Sequence, residues 1–186
     1  MGLKDDVEEV LIPEEVLQDR IRELGRRVST EYNSKEPLLV GILTGAFVFM
    51  ADLLRSITIP CHVDFMATAS YGAGTESSGI VRILKDINQS IEGRHVLVVD
   101  DIIDTGLTMD YLLETLKARY PASLRVCALL DKRPRRRREV AIDFSGFEIP
   151  DKFVIGYGLD YAGLYRNLPF IGVLKPELYG DITTGR

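Results

Sequence analysis

The segment Val96–Thr108, VLVVDDIIDTGLT, constrains this chain more than any other stretch. An unbroken apolar run bounded by turn residues suits a strand buried on both faces, which means a parallel sheet covered by helices. Here the run meets three carboxylates, Asp100, Asp101 and Asp104. A small, hydroxyl-bearing turn at Thr105, Gly106 and Thr108 follows, and then a helical pattern. Ligands of open α/β sheets bind at the carboxyl ends of the strands. A turn entering a helix offers backbone N–H groups to an anion. Adjacent carboxylates suit a vicinal diol or a hard cation such as Mg²⁺. The combination points to a phosphorylated sugar carrying a metal ion. An acid-rich helix cap is the plain alternative, since Asp and Thr are common there, but the full succession is far more specific.

The rest of the chain supplies the partners such a strand requires. Pro13, with Glu14 and Glu15 behind it, suits the start of a helix. Leu17, Ile21, Leu24 and Val28 continue it at helical spacing towards Asn33. Leu38–Leu43 reads as a strand, Thr44 and Gly45 as a turn, and Ala46–Leu54 as a nearly all-apolar helix. His62–Ala69 and Ile80–Leu84 read as two strands joined by a Gly/Ser/Thr-rich tip, Ser70–Gly79, that has almost nothing to bury. A helix follows the acidic turn and closes near Tyr120, and Leu124–Leu130 is a further buried strand. Lys132–Arg138 is a basic loop, and Phe153–Gly156 and Phe170–Val173 are short late strands. This alternation calls for an α/β fold with a mostly parallel sheet covered on both faces and an antiparallel hairpin added to it.

Composition excludes several classes. At 186 residues the chain suits one domain, numbered 1–186. The net charge of −5 argues against a dedicated nucleic-acid binder. Cys61 and Cys127 each lie in an apolar segment and are expected to be buried free thiols of a reducing compartment. The acidic N-terminus lacks the apolar stretch of a signal peptide, and no run approaches a membrane span. The expected location is the cytoplasm, with no membrane partner.

VLVVDDIIDTGLTM resembles the phosphoribosyl-pyrophosphate motif of the type I phosphoribosyltransferases. SYG at Ser70–Gly72 resembles that family's closing flap, and DKRP at Asp131–Pro134 its purine-binding lysine segment. FEIPDKFVIGYGLDYAGLYRNLP, Phe147–Pro169, is similar to its purine pocket and C-terminal metal segment. The motifs occur in the family's order from the first helix to Leu174 and fall in the hypoxanthine-guanine branch. The resemblance implies the type I phosphoribosyltransferase fold: a mostly parallel central sheet with flanking helices, a mobile antiparallel hairpin and a small hood. The lid would lie at about 70–79, and the hood would form from the N-terminal segment and about 150–186.

The resemblance also implies a salvage reaction in which a 6-oxopurine displaces pyrophosphate from phosphoribosyl pyrophosphate with Mg²⁺, giving IMP or GMP. Asp104 would be the general base at N7, and Asp104, Thr105, Gly106, Leu107 and Thr108 would cradle the 5′-phosphate. Asp100 and Asp101 would hold the ribose hydroxyls and the metal. Thr44, Gly45, Ser70, Tyr71 and Arg166 would contact the phosphates. Lys132 would read the purine oxygen, Phe153 would stack on the base and the Val154 backbone would read its edge. Asp160 would lie at the purine side and hold a second Mg²⁺. Plain alternatives exist: Lys132 in a basic run, Phe153 as core, Arg166 as a surface ion-pair residue, Tyr71 as a loop aromatic. Arg135–Arg138 read as a solvated face. Two departures stand out. Thr44 replaces a lysine that many relatives carry, which removes a positive charge. Asp100 replaces a frequent glutamate, and its shorter arm would need a bridging water. The apolar helix after Gly45 suggests a buried partner surface and thus a homodimer or homotetramer. The rival readings are a nucleic-acid-binding regulator of the same fold, kept open by Arg135–Arg138, and a transferase preferring xanthine or a pyrimidine.

Overall fold

The computed structural model describes residues 2–70 and 81–179. In chain order it contains β1 (Val7–Ile12), α1 (Glu14–Glu31), β2 (Leu38–Leu43), α2 (Phe47–Ser56), β3 (His62–Ser70) and β4 (Val81–Lys85). There follow β5 (His95–Ile103), α3 (Leu107–Lys117), β6 (Ser123–Asp131), β7 (Phe144–Glu148), β8 (Val154–Ile155) and β9 (Ile171–Leu174).

The main sheet has the order β4-β3-β2-β5-β6-β7, all parallel except the antiparallel edge pair β3–β4. Side chains alternate across a strand, so each apolar run feeds two cores. Leu39, Leu97, Val99, Cys127 and Leu129 pack with Leu17, Leu24 and Val28 of α1 and Phe49, Met50 and Leu53 of α2. Leu38, Val40, Val96, Val98, Val126 and Ala128 pack with Met109, Leu112 and Leu116 of α3. Burial on both faces is why these strands read as continuous apolar runs.

The chain's two ends meet in a second sheet of order β1-β9-β8, antiparallel throughout. Ile155, Leu168, Phe170 and Leu174 form its core, with Phe153, Tyr161 and Tyr179 packed against them. The loop from β8 to β9 descends onto the carboxyl end of β2.

Several expectations need correction. β5 does not stop at Val99 but runs to Ile103, so Asp100 and Asp101 lie within the strand. The strands β1 and β7 carry no apolar run: VEEVLI alternates irregularly at a half-exposed edge, and FSGFE has small residues at its centre. The apolar character of α2 serves the interior, because Phe49, Met50 and Leu53 are buried in the core; only Phe47, 43% exposed, is a large apolar side chain left outward on that helix. The expected lid lies outside the described residues except for the strand-end backbone at Ser70, and so does Tyr71.

α1 and α2 cross closely at Gly25. A Cβ placed there would lie 2.5 Å from Ser56 Cβ and 2.6 Å from the Ser56 carbonyl oxygen. Gly25→Val should therefore destabilise the fold by about 1–3 kcal/mol through overpacking. The urea midpoint measures this, and an unchanged midpoint would mean that the helices separate freely.

Candidate active site

Asp100 and Asp101 are each 9% exposed on the strand with neighbours on both edges. Their carboxyls stay within hydrogen-bonding reach of each other but reach different neighbours. Asp100 lines a cavity of about 100 Å³ together with Ile102, Ile103, Asp104, Thr105, Gly106, Thr108 and Met109. Asp101 also reaches the turn after β2. A Cβ on Gly45 would lie 1.8 Å from Asp101 Oδ2, so only glycine lets that turn approach the carboxylate. The Asp101 N–H donates to Asp100 Oδ1 at 3.1 Å, and the Ile102 N–H to Asp101 Oδ1 at 2.9 Å. Burial, and then the neighbouring Asp101 charge, push the Asp100 carboxyl well above the ordinary carboxylate range. Burial also raises Asp101, opposed in part by hydrogen bonds and by the Arg166 charge.

Asp104 begins the turn that enters α3. Its Oδ1 is buried without a hydrogen-bond partner, and Oδ2 lies 3.7 Å from Arg135 Nη1. An unpaired buried carboxylate oxygen is costly and calls for a ligand or function. Gly106 takes φ +82° at the N-cap of α3, and a Cβ there would strike the Arg138 carbonyl oxygen at 2.2 Å. The first N–H groups of a helix have no partner within it, so Thr105–Thr108 forms an anion-receptive end to the same cavity.

The β8–β9 loop closes the other side. Gly158 presses on the turn after β2 so tightly that a Cβ would lie 2.2 Å from the Gly45 carbonyl oxygen. The Leu43–Thr44 peptide in that turn is cis. Arg166 donates to the Gly158 carbonyl and pairs with Asp160 Oδ1 at 2.7 Å. Asp160 Oδ2 accepts the Gly163 N–H at 2.8 Å. Arg166 is thus tied into the loop, and its charge reaches Asp101.

Lys132 follows β6 and is 5% exposed. Its Nζ donates to the Lys152 carbonyl and lies against Asp151 Oδ1, both at 2.9 Å. The Lys132 ammonium in turn holds the Asp151 carboxyl below its ordinary range. These contacts anchor the segment leading into Phe153. That ring stacks on Tyr179 at 4.8 Å and meets the edge of Tyr161 at 5.5 Å. Val154 lies in β8, 8% exposed. Tyr179 carried no sequence signal, because its position depends on how the C-terminal segment folds back.

One sequence reading fails. Arg135–Arg138 do not form a uniform solvated face. The Arg136 side chain is 8% exposed and pairs with Asp131, itself 4% exposed. Identical neighbours in a run hide which residue the fold will bury.

The chain belongs to the phosphoribosyl transferase family: the signature of the phosphoribosyl transferase domain matches residues 8–162. Among its relatives is the hypoxanthine-guanine phosphoribosyltransferase of Bacillus subtilis, 51% identical over 177 residues, which cover 95% of this chain and 98% of that protein. The bifunctional protein TilS/HprT of Listeria monocytogenes is 52% identical over 180 residues, and this chain spans only 28% of its length. A solved hypoxanthine phosphoribosyltransferase from Staphylococcus aureus superposes with a TM-score of 0.92 at 46% identity, over 95% of this chain and 96% of that one. The architecture is the type I phosphoribosyltransferase fold.

The buried acids generate a prediction for the ligand-free protein. A carboxyl whose folded pKa is raised contributes stability that is complete below its unfolded pKa and is lost as pH rises through the folded value. Asp100→Asn removes that loss and should be more stable than wild type at neutral pH by on the order of 1–2 kcal/mol. The gap should narrow towards acid pH. Thermal denaturation across pH checks this; an Asn variant no more stable at neutral pH contradicts it.

Proposed function

We propose that this chain transfers the 5-phosphoribosyl group of phosphoribosyl pyrophosphate to hypoxanthine or guanine, giving IMP or GMP and pyrophosphate. The observation that carries the reading is the partnerless buried oxygen of Asp104 beside an anion-receptive helix entry in one cavity. The relatives' names support the same reaction.

In this account the Asp104–Thr108 turn holds the 5′-phosphate, and Asp100 and Asp101 hold the ribose hydroxyls. Asp104 accepts the proton lost from N7 as the base attacks the anomeric carbon. An ammonium has three donors. Lys132 spends one on the Lys152 carbonyl and one towards Asp151, which leaves one for the purine's exocyclic oxygen. That contact favours 6-oxopurines over adenine. Phe153 gives the base one ring face while Tyr179 supports the other, and the Val154 backbone meets the base edge. Arg166, with Thr44 and Gly45, faces the pyrophosphate. Ser70 and Tyr71 belong to the proposed closing flap.

The donors also suit Mg²⁺. Two buried carboxylates that repel one another match a hard cation. Among the described residues no three acidic, His or Cys side chains converge on one point, so substrate oxygens and water would complete the coordination of Asp100 and Asp101. Asp160 is the proposed ligand for a second ion. Bound there, the metal would neutralise charge on the departing pyrophosphate.

We further propose a single domain over 1–186 that works in the cytoplasm as a homodimer or homotetramer, with Phe47 as the outward apolar residue of α2. Among the described residues no helix is long and apolar enough to cross a membrane. The nucleic-acid reading loses one cation of its basic run, because the Arg136 side chain is only 8% exposed.

A panel of free bases with phosphoribosyl pyrophosphate and Mg²⁺ tests the function. Hypoxanthine and guanine should yield nucleotide, and adenine should not. Product from xanthine or a pyrimidine alone would redirect the assignment. Asp104→Asn should lower kcat by roughly 10²-fold or more, and near-normal turnover would remove Asp104 from proton transfer.

A further inference from the structure

We infer that Arg136 is a positioning residue for the phosphate turn, acting from behind it through the backbone. The inference rests on the proposed role of Thr105–Thr108 in binding phosphate. Arg133 and Arg138 leave their side chains 68% and 65% exposed, while Arg136 leaves 8%. A buried guanidinium is tolerated only when its charge is paired and its donors are used. Arg136 has its charge paired by Asp131 and uses Nε and Nη2 as donors. Asp131 Oδ1 takes Nη2, the Asp104 carbonyl accepts Nε at 3.1 Å and the Ile103 carbonyl accepts Nη2 at 3.2 Å.

The residues after Arg136 continue the grip. The Thr105 carbonyl accepts the Arg137 and Arg138 N–H groups at 2.8 and 3.0 Å. The Arg136 side chain and the Arg138 carbonyl also occupy the space where a Cβ of residue 106 would stand. Three consecutive carbonyls, those of Ile103, Asp104 and Thr105, are therefore held by the strap 136–138 and, for Ile103, by the Lys132 N–H as well.

In a trans peptide the C=O and the next N–H point in opposite directions. Fixing those carbonyls turns the N–H groups of Asp104, Thr105 and Gly106 away from the strap. Successive N–H groups held on one side form an anion nest. Arg136 is absent from the lining of the 100 Å³ cavity, so it shapes the nest without touching what the nest holds. Its contribution is preorganisation: the donors stand in place before the phosphate arrives. The acid it pairs with, Asp131, also accepts Arg133 Nε at 3.0 Å, so that carboxylate has a second cation to balance it.

The test compares wild type with Arg136→Met, which keeps bulk but removes the charge and donors, and Arg136→Lys, which keeps the charge but loses the planar fork. Arg22→Met, on the far helix and 56% exposed, controls for surface charge. The readouts are kcat, KM for phosphoribosyl pyrophosphate and for the base, and the Kd of ribose 5-phosphate by calorimetry. Arg136→Met should raise KM for phosphoribosyl pyrophosphate and Kd for ribose 5-phosphate roughly tenfold or more, with base KM within about twofold. Arg136→Lys should fall between, and it carries the test if the Met variant does not fold. Unchanged KM and Kd overturn the inference, as does an equal loss in every parameter that follows the folded fraction. If wild type forms no nucleotide yet the variants lose ribose 5-phosphate, the proposed function fails and the strap stands. If nucleotide forms and phosphate affinity is untouched, the function stands and the strap fails.

Discussion

Strand β5 is covered on both faces and paired on both edges, and near its end it carries two adjacent carboxylates that are only 9% exposed. Everything near the site adapts to that constraint. The turn after β2 uses glycine where Asp101 leaves no room for a Cβ, and the β8–β9 loop uses glycine where it meets that turn. The acids weaken the ligand-free fold, since burial raises their carboxyls above the ordinary range. In the proposed function a sugar phosphate and a cation would relieve that cost, and the destabilising feature would also be a source of binding energy.

The two adjacent acids reach different parts of the site. Asp100 looks into the cavity on the α3 side, where the helix entry and Asp104 lie, and Asp101 looks towards α2 and the loop carrying Arg166. The small sheet β1-β9-β8 joins the chain's two ends and carries the segment with Phe153 and Val154. Lys132 links these parts, because it ends a strand of the main sheet and fastens to Asp151 and Lys152. Phosphate, sugar and base would each have their own supporting element, brought together at one strand edge as open α/β sheets allow.

The core of the fold was legible because burial on both faces writes itself into β2, β5 and β6 as apolar runs. The helices were legible through spacing and first-turn acids. β1 and β7 were not, since a half-exposed edge strand and FSGFE lack apolar runs. The end of β5 was misplaced for an instructive reason: a carboxylate in a buried strand opposes local preference, and only the site explains it. The acidic turn, Lys132, Phe153, Asp160 and Arg166 were named from motifs, and the structure gathers the acids, the turn and Arg166 around β5. Arg136 could not be distinguished from its neighbours, because its burial depends on Asp131 and on two carbonyls far away in sequence. Tyr179 escaped notice for the same reason.

The most direct test of the account is a crystal structure with GMP bound. The account places the 5′-phosphate within hydrogen-bond distance of the 104–108 turn, the base against Phe153 and the guanine oxygen on Lys132. A phosphate bound elsewhere, or a base that leaves Lys132 on its present partners alone, would contradict it.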